Sequence, residues 1–131
     1  MKHIEVVAGI IEHNGKILCM QRDKGKFDYV SYKWEFPGGK IEFGETKEQA
    51  LKRELNEEME LEIEILKPFL QVNHTYPDFT MNMYSFICLA KSKKFKLNVH
   101  KDFKWLSINK LKTLDWAPAD MPIVDKLINK K

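Results

Sequence analysis

Between Thr46 and Glu60 the chain carries its one strong helical pattern, and strand-like segments flank it on both sides. Thr46 followed by Gln49 makes a capping-box pair, while Leu51, Leu55 and Met59 recur every four residues as a stripe to be buried. Upstream, HIEVVAGIIEH is rich in β-branched residues and predicts a strand. Asn14-Gly15 then signals a hairpin turn into KILCMQR, its antiparallel partner. The polar, aromatic-dotted DKGKFDYVSYK predicts a loop leading to WEFPGGK. Downstream, LEIEILKPFLQVNHTY resumes strand chemistry, and the more hydrophobic FTMNMYSFICLAK predicts a central strand. FKWLS reads as a short strand and INKLKTL as a short helix or turn. APADMPIVDKLINK predicts a C-terminal helix that starts at prolines and turns Ile123, Leu127 and Ile128 to the core. Strands around one central helix, with a second helix at the end, define an α/β sandwich with a mixed β-sheet.

Composition sets the boundaries of function. A chain of 131 residues is most simply a single domain over 1–131, long enough to bury a core without disulfide or metal staples. A net charge of +3 is too small to announce a partner made of polymeric nucleic acid. Cys19 and Cys88 lie far apart in apolar stretches without metal-ligand spacing, and read as small buried hydrophobes in a reducing compartment. No apolar run approaches the roughly 20 residues that cross a bilayer, and MKHIEVVAGII lacks a cleavable-signal pattern. The expectation is a cytoplasmic protein without a membrane partner. The absence of a strongly apolar exposed stripe favours a monomer or a weak homodimer.

The segment from Glu35 to Ile63 holds nine acidic residues, and Glu54, Glu57 and Glu58 share one helical face. Two such charges about 4 Å apart repel by roughly 4 kcal/mol at an effective dielectric near 20. An enclosed trio therefore needs protonation, basic partners or a divalent cation. The bland reading is a solvated face with Lys47, Lys52 and Arg53 as ordinary ion partners. The upstream FPGGK weighs against it: two glycines let backbone groups approach a ligand closely, and Lys40 offers an ammonium to a phosphate oxygen. Together these features describe a metal-phosphate site, for which Mg²⁺ is the expected ion and Mn²⁺ a substitute.

Gly39, Glu45, the run RELNEE from Arg53 to Glu58, and Leu61 resemble the Nudix box, GX5EX7REUXEEXGU, with Glu60 in place of the late glycine. VVAGIIEHNGKILCMQR, WEFPGGKIE and WAPADMPIVDKL extend the resemblance over nearly the whole chain, toward the MutT branch and its CTP pyrophosphohydrolase-like members. The resemblance implies the Nudix fold, an α/β/α sandwich, and Mg²⁺-dependent attack of water on a nucleoside triphosphate, releasing the monophosphate and diphosphate. It implies that the Gly38 carbonyl and the carboxylates of Glu54, Glu57 and Glu58 hold metal. Glu54 is an alternative general base, Arg53 orients a carboxylate, and Glu45 braces the loop against the helix. Arg22 and Lys40 are the candidates for triphosphate contact, and Glu35 joins the substrate-binding set. Related enzymes often place a Glu before a late-loop His. Here the pair is Val99-His100, which leaves that role unfilled or passes it to His100, Asp102 or a neighbour; His100 by itself reads as a surface histidine.

For the base pocket, Phe36, Tyr76 and Phe79 are stacking candidates, with core packing as the plain alternative for each. Asp120 either accepts from the base edge or caps the last helix. A carboxylate acceptor suits the cytosine amine, and the guanine N1 and N2 edge could satisfy it too, so Asp120 by itself excludes little. It is the resemblance carried by WAPAD, with Asp rather than Asn, that implies CTP, dCTP or modified cytidine nucleotides, with oxidised guanine nucleotides as the alternative. A nucleotide sensor that turns nothing over, and a hydrolase acting on capped RNA ends, are the rival classes.

Overall fold

The computed structural model describes residues 1–92 and 94–129. β1 (Lys2–His13) turns at Asn14 and Gly15 into β2 (Lys16–Gln21). Both turn residues have positive φ, 53° and 78°, the backbone that a two-residue hairpin of matching twist requires. After the loop come two very short strands, β3 (Trp34–Glu35) and β4 (Gly38–Lys40), separated by Phe36 and Pro37. Helix α1 (Lys47–Met59) follows, then β5 (Ile63–Thr75), β6 (Phe79–Ala90) and β7 (Asp102–Leu106). Two short 3₁₀ turns, Ile108–Thr113 and Pro118–Asp120, lead into α2 (Met121–Asn129).

The strand order is β3-β2-β1-β6-β5, with β4 beside β1 and β7 beside β2. β1 and β6 run parallel from the Lys2–Phe79 pair to the Glu12–Leu89 pair, whereas the other ladders are antiparallel. The sheet is therefore mixed, with β6 in its interior as its hydrophobicity predicts. Alternation along β1 divides the core in two. Val6, Ala8 and Ile10 pack on the side of Ile123, Val124 and Leu127 from α2, and Val7 and Ile11 on the side of Leu51, Leu55 and Met59 from α1. One helix covers each face, which is the α/β/α sandwich expected from the sequence. Ile128 packs partly buried beside its α2 neighbours. No described helix is long and apolar enough to cross a membrane. Cys19 and Cys88 are free, fully buried thiols.

The ends of α1 position the site. Thr46 Oγ1 accepts from Gln49 N at 3.1 Å while Gln49 Oε1 accepts from Thr46 N at 2.9 Å, closing the capping box. At the other end Glu60 takes the left-handed conformation, φ 53° and ψ 39°, and its N–H returns to Asn56 O. A residue with a Cβ thus takes the left-handed position that glycine takes at many helix ends. The segment after β6 docks there too: Lys96 N donates to Met59 O at 2.8 Å and Asn98 N to Glu58 O at 3.2 Å.

Candidate active site

The site is a junction between the β3–β4 backbone and one face of α1. Gly38 pairs with Ala8 and Gly39 with Val7 across the ladder to β1. A Cβ on Gly38 would strike the Val7 carbonyl, and one on Gly39 would strike the Glu54 carboxylate. Neither glycine has positive φ. Close approach, rather than backbone freedom, is what excludes a side chain here.

Arg53 is the organising cation. Its Nε donates to Glu45 Oε2 at 2.6 Å and one terminal nitrogen to Glu45 Oε1 at 2.9 Å, a two-pronged grip on a carboxylate outside the helix. The same terminal nitrogen donates to Lys40 O at 3.0 Å. The other reaches Glu54 Oε1 at 2.9 Å and Glu57 Oε1 at 2.8 Å. Hydrogen bonding to Glu45, with smaller contributions from Glu54 and Glu57, holds the guanidinium firmly in its charged form. Arg53 in turn holds the Glu45 carboxyl below its usual range. Arg53 thus ties the loop before α1 to two of the three helix carboxylates.

The third carboxylate has a different environment. Glu58 is pushed up to about 8, first by burial and then by the charges of Glu35 and Glu54, with Arg22 opposing. Its Oε1 is buried without a hydrogen-bond partner. Around it stand Glu35 on β3, Arg22 after β2, and His100. Arg22 donates to Glu35 Oε1 at 3.1 Å, and His100 Nε2 lies 2.9 Å from Glu35 Oε2. His100 Nδ1 faces Glu58 Oε2 at 3.7 Å. The surface histidine expected from the sequence is therefore corrected: the His100 side chain is 3% exposed and sits between two carboxylates. Its partners come from β3 and α1, so nothing adjacent in the chain announces it. Asp102, by contrast, is exposed and accepts from Phe103 N, so its bonding is local.

Among the described residues no three His, Cys, Asp or Glu side chains are already gathered as a metal-ligating set. Glu54 and Glu57 are engaged by Arg53. The donors nevertheless suit a hard divalent ion: carboxylate oxygens, one of them buried and unpartnered, with Glu54 against the β4 backbone at Gly39.

The base-pocket candidates divide. Trp34 and Trp116 form a parallel bridge, and Ala117 N donates to Trp34 O at 2.8 Å, which lays the WAPAD segment beside β3. Asp120, 4% exposed, accepts from Phe36 N through Oδ2 at 2.9 Å. That bond ties it to the link between β3 and β4 rather than to the N–H groups of α2. Burial first, and Glu35 second, push its carboxyl well above the usual range. Phe36 is 3% exposed and stacks on Trp116 at 4.7 Å, so its ring belongs to the core and offers no open face; core packing is the reading that stands. Tyr76 is also buried, and its hydroxyl accepts from Ala119 N at 3.0 Å. Phe79 is half-buried against Tyr76 and Phe27. Tyr29 stacks on Tyr76 at 5.3 Å and donates to Asp78 at 2.9 Å, drawing the loop after β2 onto this aromatic group. Tyr29 lies in the segment DKGKFDYVSYK, whose composition predicts a loop and singles out none of its aromatics. Lys40 is exposed beside the Arg53 junction.

Comparison with known proteins identifies the family. The NUDIX domain family matches residues 6–126, so the chain belongs to the Nudix family. It is 30% identical over 127 residues to the 8-oxo-dGTP diphosphatase of Escherichia coli K12, covering 97% of this chain and 98% of that one. It is 34% identical over 125 residues to the CTP pyrophosphohydrolase of the same organism, covering 95% and 91%. Among solved structures, a MutT protein of the Nudix hydrolase family from methicillin-resistant Staphylococcus aureus 252 is 39% identical, with both chains covered fully and a TM-score of 0.79.

Proposed function

We propose that this Nudix hydrolase is a divalent-metal-dependent nucleoside triphosphate diphosphohydrolase, converting NTP and water to NMP and diphosphate, with cytidine nucleotides as favoured substrates. The observation that carries it is the α1 face. That face carries three glutamates: Glu54 lies against Gly39 of β4, Arg53 holds Glu54 and Glu57, and Glu58 has a buried oxygen lacking a partner. Glu54, Glu57, Glu58 and the Gly38 carbonyl would hold the ion, Mg²⁺ by the oxygen character of the donors. When bound, such an ion polarises phosphoryl oxygens and lowers the pKa of an attacking water. Arg53 and Glu45 keep the helix carboxylates aimed, Lys40 and Arg22 bind triphosphate oxygens, and Phe79 with Tyr29 lines the approach to the base. Two unpaired buried thiols fit action in the cytoplasm.

Preference for cytidine rests on Asp120 as an acceptor for the cytosine amine, supported by the likeness to a CTP pyrophosphohydrolase. The second reading, an oxidised guanine nucleotide, draws on the upward push on Asp120. A neutral carboxyl both donates and accepts, as a guanine edge can require. A diphosphate-release screen across nucleoside triphosphates, including CTP, dCTP and 8-oxo-dGTP, with Mg²⁺ and with chelator, separates the two. Preference for a nucleotide sugar over every triphosphate would reject both. Glu57→Gln should lower kcat by about a hundredfold or more while nucleotide binding survives. An unaltered rate would remove the helix carboxylates from the chemistry.

A further inference from the structure

We propose that His100 is itself a metal ligand through Nδ1, paired with Glu58, so that this site offers its divalent ion a nitrogen donor as well as oxygens. The inference rests on the metal-dependent reading above and names a ligand that reading does not contain. Its basis is the arrangement around one ring. The His100 side chain is 3% exposed, and its Nε2 lies 2.9 Å from Glu35 Oε2. Glu35 is fixed in turn, because its other oxygen accepts from Arg22 at 3.1 Å. On the opposite edge of the ring, Nδ1 is buried with no hydrogen-bond partner. It faces Glu58 Oε2 at 3.7 Å, too far for a hydrogen bond, while Glu58 Oε1 is buried and unpartnered as well.

An unsatisfied buried nitrogen thus faces a carboxylate whose other oxygen is also buried and unsatisfied, and one ion could take donors from both groups. A histidine whose far nitrogen is held by a carboxylate, leaving the near nitrogen bare, is the usual arrangement of a metal-ligating imidazole. The carboxylate sets the tautomer and raises the basicity of the other nitrogen. The backbone holds the ring in this attitude. Asn98 N on Glu58 O and Lys101 N on Gln21 O, at 3.2 and 2.9 Å, pin the chain on both sides of His100. Water and substrate oxygens would complete the shell. An imidazole ligand shifts preference from Mg²⁺ toward Mn²⁺ and later ions of the row, which carboxylates alone would not do.

The test is pulsed electron paramagnetic resonance on the full chain loaded with Mn²⁺ without nucleotide, which detects nitrogen bonded to the ion. The spectrum should carry a nitrogen coupling that changes when the protein is grown on ¹⁵N-histidine. His100→Gln should abolish it and weaken Mn²⁺ binding by about tenfold, with a smaller loss for Mg²⁺. The isotope arm uses the unaltered chain and stands even if the variant folds poorly. Bound Mn²⁺ with no histidine coupling, or a coupling that survives in a folded His100→Gln protein, would overturn the assignment. In that case diphosphate release from triphosphates would still stand. Failure of Mn²⁺ to bind at all would overturn both.

Discussion

Asp120 shows how one buried group converts position into a pH dependence. Its carboxyl sits well above its ordinary range because burial and the Glu35 charge both disfavour the anion. For an acid raised in the folded state, stability is greatest when both states are protonated. It declines as pH rises past about 3.9, where the unfolded chain ionises first. Asp120→Asn keeps an acceptor for Phe36 N and removes the ionisation. The variant should therefore melt above the parent at pH 7, with the gap closing toward pH 4. A gap independent of pH, by thermal melts across that range, would refute the burial argument. Glu60 offers a second test at this scale. Its left-handed backbone costs roughly 1–2 kcal/mol for a residue with a Cβ, against about 0.5–1 kcal/mol of extra chain entropy for glycine. Glu60→Ala and Glu60→Gly both lose the exposed pair to Lys96, so their difference isolates the backbone. Urea melts should find the glycine variant more stable by about 1 kcal/mol.

Among the elements, the junction of β4 and α1 separates structural from chemical requirement. A methyl at position 38 meets the Val7 backbone carbonyl, which is locked in the sheet, whereas one at 39 meets the end of a side chain. Gly38→Ala should cost about 1–3 kcal/mol or more in unfolding free energy, because backbone cannot step aside. Gly39→Ala should retain most of its stability and lose activity, because Glu54 must leave its place. Paired urea melts and rate measurements would decide, and equal stability loss in both would defeat the distinction. α1 and its cap were legible in the sequence because capping chemistry and a period near four are local signals. The acidic face was legible for the same reason. β3 and β4 were not, since strands of two and three residues around Pro37 carry no alternation to read. The parallel pairing of β1 with β6 joins residues 77 apart, such as Lys2 and Phe79, and no turn residue encodes it. His100 escaped for a related reason: its carboxylate partner Glu35 lies 65 residues away, and a single histidine has no spacing to betray it.

Taken as a whole, the molecule has two cores that share one sheet. β1 sends Val6, Ala8 and Ile10 to the α2 side and Val7 and Ile11 to the α1 side, so neither core can dissolve without stripping a face from the same strand. Ile123 is fully buried on the α2 side, far in sequence from the carboxylates of α1. Ile123→Ala should cost about 2–5 kcal/mol. A metal bound at the α1 face stabilises the folded state by mass action, about 2.7 kcal/mol at a hundred times its dissociation constant. If the two sides unfold as one body, the ion will add the same free-energy increment to the Ile123→Ala protein as to the parent, within a single calorimetric transition. If the α2 side opens by itself, the ion will move only the later of two transitions and leave the defect uncorrected. Calorimetry of both proteins, with and without Mg²⁺, therefore measures whether the sheet transmits stability from one face to the other.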